Sequence, residues 1–177
     1  LLYDLDFRIV AVSDSKGGIY CEDGIHVVKA IQCKIEKGSV HECSVEGNKY
    51  DYHVSKGAAC KRLSNEELLE LPCDILVLSA LENQVTEKNA DKIKAKYILE
   101  LANGPISPGG DEILDKKGIT IIPDILANAG GVTVSYFELV QNEMNYYWPK
   151  EEVFERLKVI MTKSWKHVRE AQTKYAC

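Results

Sequence analysis

The chain has 177 residues, 45% of them hydrophobic and 28% charged, with a formal net charge of −5. That length supports a domain with a real core, and no basic cluster points to a phosphate-backbone binder. No apolar run approaches the roughly 20 residues that span a bilayer, so neither nucleic acid nor membrane is an expected partner.

Residues 1–5 lack the positive region and cleavage pattern of a signal peptide, begin without methionine and read as the end of a helix. Residues 7–13 form a hydrophobic run expected to be a strand, and Asp14-Ser15-Lys16-Gly17-Gly18 ends it as a turn. A helix is expected over 24–36, then a polar loop with short strand pieces from Gly38 to Lys61. Ser64 or Asn65 caps a short helix, with Glu67 three residues beyond Ser64, and Pro72 helps to end it.

A regular rhythm follows. Residues 75–78, 97–101 and 119–122 read as buried strands recurring about every 22 residues, with helices between them. The first of these helices is expected to run from a Thr86 cap to about Ile93. The second begins at Ser107-Pro108, in the favoured cap-then-proline order, and ends before Gly118. This is the pattern of βαβ units on a parallel sheet. From Trp148-Pro149 onward, Val153, Phe154, Leu157, Ile160, Met161, Trp165 and Val168 share one face of a long helix. The domain reading is therefore a partial dinucleotide-binding unit over 1–147 and a helix over 148–177 packing on it.

Six cysteines, none in a Cys-x-x-Cys pair, suggest reduced thiols in a cytosol-like compartment. Cys33, His41, Cys43 and His53 lie close in sequence, but their spacing fits no zinc pattern, and no metal is expected.

In an open parallel sheet, ligands gather beyond the carboxyl ends of the strands. This chain places Asp14 and Ser15 there, then Ala80 to Asn83, then Asn103-Gly104-Pro105, then Asp124 and Asn128. Side-chain amides donate and accept, which suits a carboxamide or ribose hydroxyls. Each residue also has a plain structural reading, as turn, cap or back-bonding serine. After 119–122, Asn128, Gly130 and Gly131 precede a second amphipathic run. A helix starting near Gly131 would aim its first N–H groups at an anion, with Ser135 in the first turn. No G-x-G-x-x-G occurs in the chain. In a sheet of order 3-2-1-4-5-6 the first strand is central. Its absence would leave two strands with unpaired inner edges, so an incomplete chain is expected.

The runs at 11–20 (Ala-Val-Ser-Asp-Ser-Lys-Gly-Gly-Ile-Tyr), 80–86 (Ala-Leu-Glu-Asn-Gln-Val-Thr), 102–105 (Ala-Asn-Gly-Pro) and 123–138 (Pro-Asp-Ile-Leu-Ala-Asn-Ala-Gly-Gly-Val-Thr-Val-Ser-Tyr-Phe-Glu) resemble the cofactor-binding domain of glutamate dehydrogenases. The wider family includes leucine, phenylalanine and valine dehydrogenases. The resemblance implies a Rossmann-like, doubly wound α/β fold that here lacks its first strand and glycine loop. It also implies oxidative deamination of L-glutamate to 2-oxoglutarate and ammonia, with NAD or NADP as cofactor.

By similarity, Asp14 meets the adenosine ribose, Ala80 and Asn83 line the nicotinamide-ribose pocket and Asn103 holds the nicotinamide end, with Ser15 and Asn128 also counted as cofactor-binding. Asn128, Val132 and Ser135 face the substrate, with Ser135 on its side-chain carboxylate. The family's proton-transfer lysine and aspartate have no counterpart here, so no catalytic residue is assigned in this chain and the 177 residues alone are expected to be inactive. A homohexamer in the cytoplasm, or in the mitochondrial matrix, is the implied setting. The rival readings are a non-catalytic interaction module and a dehydrogenase for a branched or aromatic amino acid.

Overall fold

The computed structural model describes residues 2–43 and 60–175. Much of the loop expected between Gly38 and Lys61, including His53, lies outside them. The chain divides into two units: residues 1–72 with Lys92–Lys94, and residues 73–91 with 95–177. The architecture is α/β and Rossmann-like, with a parallel sheet and a long C-terminal helix.

The first unit opens with a single 3-10 turn, Tyr3–Leu5, closed by Asp6 in the left-handed region. Strand β1 (Ala11–Asp14) and strand β2 (Gly17–Tyr20) then form an antiparallel hairpin with Ser15-Lys16 at its tip, and β2 pairs with β3 (Lys61–Leu63). The expected turn after residue 13 is present, but the second hairpin strand was not foreseen, because Gly-Gly-Ile-Tyr offers little apolar length. Gly17 is required here. Its φ is +128°, and a Cβ would meet His41 Nδ1 at 2.7 Å and the Leu63 carbonyl at 2.9 Å.

Helix α1 (Val27–Lys37) ends at Gly38 in the left-handed conformation, as helices commonly do. Helix α2 (Asn65–Leu69) carries the complete capping box expected of Ser64 and Glu67: Glu67 N–H donates to Ser64 Oγ at 3.1 Å and Ser64 N–H donates to Glu67 Oε2 at 2.8 Å. Val12 packs against both buried clusters of this unit, Ile19, Cys21, Ile25, Ala30 and Cys60 on one side and Cys33, Val40 and Cys43 on the other.

The expectation of reduced thiols is corrected within these clusters. Cys21 is disulfide-bonded to Cys60 and Cys33 to Cys43, while Cys73 is free. Sequence spacing could not reveal this, since the partners meet only through the fold.

The second unit contains strands β4 (Ile75–Leu78), β5 (Tyr97–Glu100) and β6 (Thr120–Ile122), all parallel, as the 22-residue rhythm predicts. Helix α3 (Pro108–Lys116) connects β5 to β6, with Ser107 Oγ accepting from Gly110 N–H at 3.1 Å. The helix expected from Thr86 is not formed; a turn and one 3-10 element, Ala90–Lys92, replace it. Asn89 Oδ1 accepts from Thr86 N–H at 2.8 Å, its side-chain NH2 donates to Gln84 O at 2.9 Å, and Ala90 N–H donates to Thr86 O at 2.9 Å, so a turn closes after Thr86 but does not propagate into a helix.

Beyond β6 come α4 (Asp124–Ala127), α5 (Ala129–Met144) and α6 (Lys150–Tyr175). Leu76, Leu78, Val85, Ile98, Leu114, Leu126 and Phe137 supply this unit's buried apolar residues. At the α5–α6 corner, Trp148 meets Phe137 edge-on at 5.8 Å, lies under the Arg156 guanidinium at 4.1 Å and donates its backbone N–H to Gln141 Oε1 at 2.6 Å. Of the apolar face expected on α6, Val153, Leu157, Met161 and Val168 are half-buried, while Phe154, Ile160 and Trp165 remain exposed.

Among the described residues, β1 stands at one border of the antiparallel sheet and β4 at one border of the parallel sheet.

Candidate functional site

The loops that follow β4 and β5 are bound together beyond the strand ends. Asn83 N–H donates to Gly104 O at 2.9 Å, Val85 N–H to Pro105 O at 3.0 Å and Ser107 N–H to Val85 O at 2.8 Å, and Val85 and Ile106 form a parallel bridge. This ladder fixes the sheet's carboxyl edge and leaves little freedom in the side chains it presents. Asn83 has φ +52°, a left-handed conformation that asparagine tolerates better than most residues. Gly104, also at φ +52°, has nothing within 4 Å of where a Cβ would stand, so its backbone conformation is what calls for glycine.

Above this edge is a depression of about 590 Å³ lined by Ser79, Ala80, Glu82, Ala102, Asn103, Asn128 and Val132 among others. Ala80, Asn103, Asn128 and Val132 are thus brought together, and Asn83 lies on the same loop beside Glu82. Asn128 Nδ2 donates to Asn103 Oδ1 at 2.7 Å. The pairing uses one half of each amide and leaves the Asn103 NH2 and the Asn128 carbonyl as the complementary halves. Small side chains at Ala80 and Ala102 keep the floor open.

Helix α5 begins at Ala129, two residues earlier than expected, with Asn128 as its N-cap residue. Gly130 and Gly131 therefore lie inside the first turn. A Cβ at Gly131 would meet nothing within 4 Å, while one at Gly130 would reach Leu157 at 4.0 Å. Ser135 falls in the second turn, not the first, and its hydroxyl donates to Gly131 O at 3.2 Å. The extra helix α4 shifted the start, and Pro123 opens it. Asn128, Val132 and Ser135 still share one helix face, since they are four and three residues apart, and Val132 is 71% exposed.

Glu100 is a contributor to this edge that the sequence did not single out, and its partner is Asp124, one of the residues expected beyond the strand ends. Glu100, the last residue of β5, is 8% exposed. Its Oε2 accepts from Asp124 N–H at 2.9 Å, and Asp124 Oδ2 accepts from Gly104 N–H at 2.8 Å. Burial pushes the Glu100 carboxyl above the usual range, with the nearby Asp124 and Asp111 charges adding to the rise and the Asp124 N–H opposing it. A carboxylate closing an otherwise apolar strand, Tyr-Ile-Leu-Glu, was the available signal.

Asp14 and Ser15 belong to the first unit. The Asp14 carboxylate accepts from Lys34 Nζ at 2.6 Å, Ser39 Oγ at 2.9 Å, Val40 N–H at 2.9 Å and Lys16 N–H at 3.1 Å. Burial raises its pKa, but Lys34 and the other donors outweigh burial and hold the carboxyl well below the ordinary range. Four donors match the roughly four acceptor positions of a carboxylate. Lys34, with its side chain 48% exposed, is the most replaceable of them.

Over residues 1–177 the sequence matches the family described as glutamate/leucine/phenylalanine/valine dehydrogenase. It is 46% identical over 167 residues to the NADP-specific glutamate dehydrogenase of Synechocystis, covering 94% of this chain and 38% of that protein. It is 41% identical over 169 residues to a cryptic catabolic NAD-specific glutamate dehydrogenase of Bacillus subtilis, covering 96% of this chain and 36% of that one. Among solved structures, a hetero-hexameric glutamate dehydrogenase from Thermus thermophilus in a leucine-bound form superposes with a TM-score of 0.80 and 28% identity. That match covers 97% of this chain and 37% of the other. The chain therefore spans well under half the length of each of these proteins.

Proposed function

Since the chain belongs to the glutamate/leucine/phenylalanine/valine dehydrogenase family, we propose that it forms the nicotinamide-holding part of an NAD(P)-dependent glutamate dehydrogenase. The observation that carries this reading is the Asn103–Asn128 amide pair, beside Ala80 and Ala102, with Val132 and Ser135 on the adjoining helix face. The unused amide halves match the acceptor and donor of a carboxamide, so the residues present fit the nicotinamide end of a dinucleotide.

When bound, the nicotinamide ring accepts a hydride from the substrate α-carbon. The chain's own part is to bind and orient. Asn103 and Asn128 would hold the carboxamide of a nicotinamide and restrict its rotation. Ala80 and Asn83 border the adjoining ribose. Val132 limits the space at the substrate, and Ser135, by rotating about χ1 away from Gly131 O, donates its hydroxyl to the substrate's side-chain carboxylate. In the first unit, Asp14 and Ser15 are assigned to the adenosine ribose, a ribose hydroxyl taking the place of Lys34 on the Asp14 carboxylate.

L-glutamate, 2-oxoglutarate and ammonia are the proposed reactants, in a hexamer of identical chains. Proton transfer falls to groups outside these 177 residues. No described helix is long and apolar enough to cross a membrane. The cytoplasm is the proposed compartment, and the nearly complete burial of both disulfides, with no exposure above 6%, keeps their sulfurs from thiol reductants.

Steady-state assays of the complete protein with glutamate, leucine and phenylalanine test the substrate. Ser135→Ala should raise KM for glutamate at least tenfold, with cofactor affinity held within twofold. Equal loss of both would remove Ser135 from the substrate, and faster turnover of leucine than of glutamate would replace the proposed reaction.

A further inference from the structure

Helix α4 lacks a normal N-cap. Pro123 stands at the cap position and has no side-chain oxygen to offer. Yet this four-residue helix ends at Asn128, which lines the site, and is tied to the β5 loop at both ends. At its start, Asp124 Oδ2 accepts from Gly104 N–H at 2.8 Å; beyond its end, Asn128 donates to Asn103 at 2.7 Å. The helix's first two N–H groups are met without that cap: Asp124 Oδ1 accepts from Ile125 N–H at 2.6 Å, and Glu100 Oε2, at the end of the neighbouring strand β5, accepts from Asp124 N–H at 2.9 Å.

We propose that Glu100 is a positioning residue for the nicotinamide end, acting through Asp124 to hold α4 and the 102–105 loop at the separation that the Asn103–Asn128 amide pair needs. The inference rests on the functional reading given above. Glu100 lines no part of the depression and touches neither amide; its effect passes through one backbone N–H and one carboxylate. The desolvation of a buried acid is a cost to the fold, which the capping bond offsets in part. Replacing the acid by a group that cannot reach Asp124 N–H removes one of the three bonds that hold α4 and Asn128 to β5 and its loop, and changes the separation the other two set, while leaving the wider sheet and the first unit as they are. The carboxylate's reach matters more than its charge, because a carboxamide oxygen at the same distance accepts the same N–H.

The test uses the complete protein and two probes, NAD(P)H and ADP-ribose, the second lacking the nicotinamide. Glu100→Asp shortens the side chain by one methylene while keeping the charge, and Glu100→Gln keeps the reach without it. The expected result is that Glu100→Asp weakens NAD(P)H binding about tenfold, that ADP-ribose binding stays within twofold, and that Glu100→Gln binds NAD(P)H within threefold of the wild type. A Glu100→Asp protein with unchanged NAD(P)H affinity, or with equal losses for both probes, overturns the proposal while leaving the site reading intact. So does a Glu100→Gln protein as weak as Glu100→Asp. A wild-type protein that binds neither probe overturns the site reading and this inference together.

Discussion

Asp14→Asn is the most informative single change in the first unit. The Asp14 carboxylate collects four donors: Lys16 N–H and Ser39 Oγ on Oδ1, and Lys34 Nζ and Val40 N–H on Oδ2. The Asn65 amide also donates to the Asp14 carbonyl at 3.1 Å. Asp14→Asn keeps the volume but turns one acceptor oxygen into a donor, facing two of the four donors. The half-exposed Lys34 pair contributes little. The part-buried bonds from Ser39 and Val40 each contribute about 1.5–3 kcal/mol as hydrogen bonds to a charged group.

One of the two oxygens is lost, so we expect a local destabilisation of about 2–4 kcal/mol, a factor of about 30 to 900 in the opening equilibrium. Amide hydrogen exchange at Val40 and its neighbours reads this directly. The pH dependence has a definite sign. The folded carboxyl sits below its unfolded value, 3.8 for the isolated group. Its contribution is therefore complete above that pH and is lost as pH falls below it, toward the folded pKa. The variant should lack this acid sensitivity. Unchanged exchange at Val40, with the same acid response as the wild type, would refute the account of Asp14 as the fastening point of the 34–40 segment.

Two further outcomes follow from features already described. Asn83→Gly should leave thermal stability nearly unchanged and weaken NAD(P)H binding, whereas Asn83→Ala should also lose about 1 kcal/mol of stability, because alanine resists the left-handed backbone at φ +52°; equal stabilities would deny that the backbone matters there. Alkylation without reductant, read by mass spectrometry, should label Cys73 and spare Cys21, Cys60, Cys33 and Cys43. Opening the bond that closes the ten-residue span from Cys33 to Cys43 should cost about 3 kcal/mol and opening the 39-residue span about 4 kcal/mol on chain-entropy grounds. Full labelling of all four without reductant would contradict the pairing.

The parallel half of the fold was legible because its signals are local and agree with one another. Apolar runs at 75–78, 97–101 and 119–122 are bounded by caps such as Ser107-Pro108, and Ser64 with Glu67 specifies its own helix end. What escaped the sequence depends on side chains that bond outside their own periodic run. After Thr86 the chain closes a turn and goes no further, although the residues there favour a helix start, and Asn89 spends its side-chain NH2 on Gln84 O outside that turn. Glu100 accepts the first N–H of α4 from the neighbouring strand, and α4 itself precedes α5 so that Ser135 falls in the second turn.

The amides at 83, 103 and 128 were identifiable as a carboxyl-edge set from strand order alone, but their direct pairing was not. Asp14 shows the limit most clearly. Its position after a strand suggests a ribose acceptor, whereas its own helix and loop supply four donors that nothing in the local pattern announces.

Among the described residues the bordering strands, β1 and β3 in one sheet and β4 and β6 in the other, have a practical consequence. A backbone margin that meets water instead of a neighbour acts as a template for any passing extended peptide, including one from an identical molecule. On β4 the hazard is sharpened by Ile75, an isoleucine left 39% exposed at the strand's entry. This polypeptide is expected to grow stickier with concentration, and lysines introduced along those margins are the natural remedy.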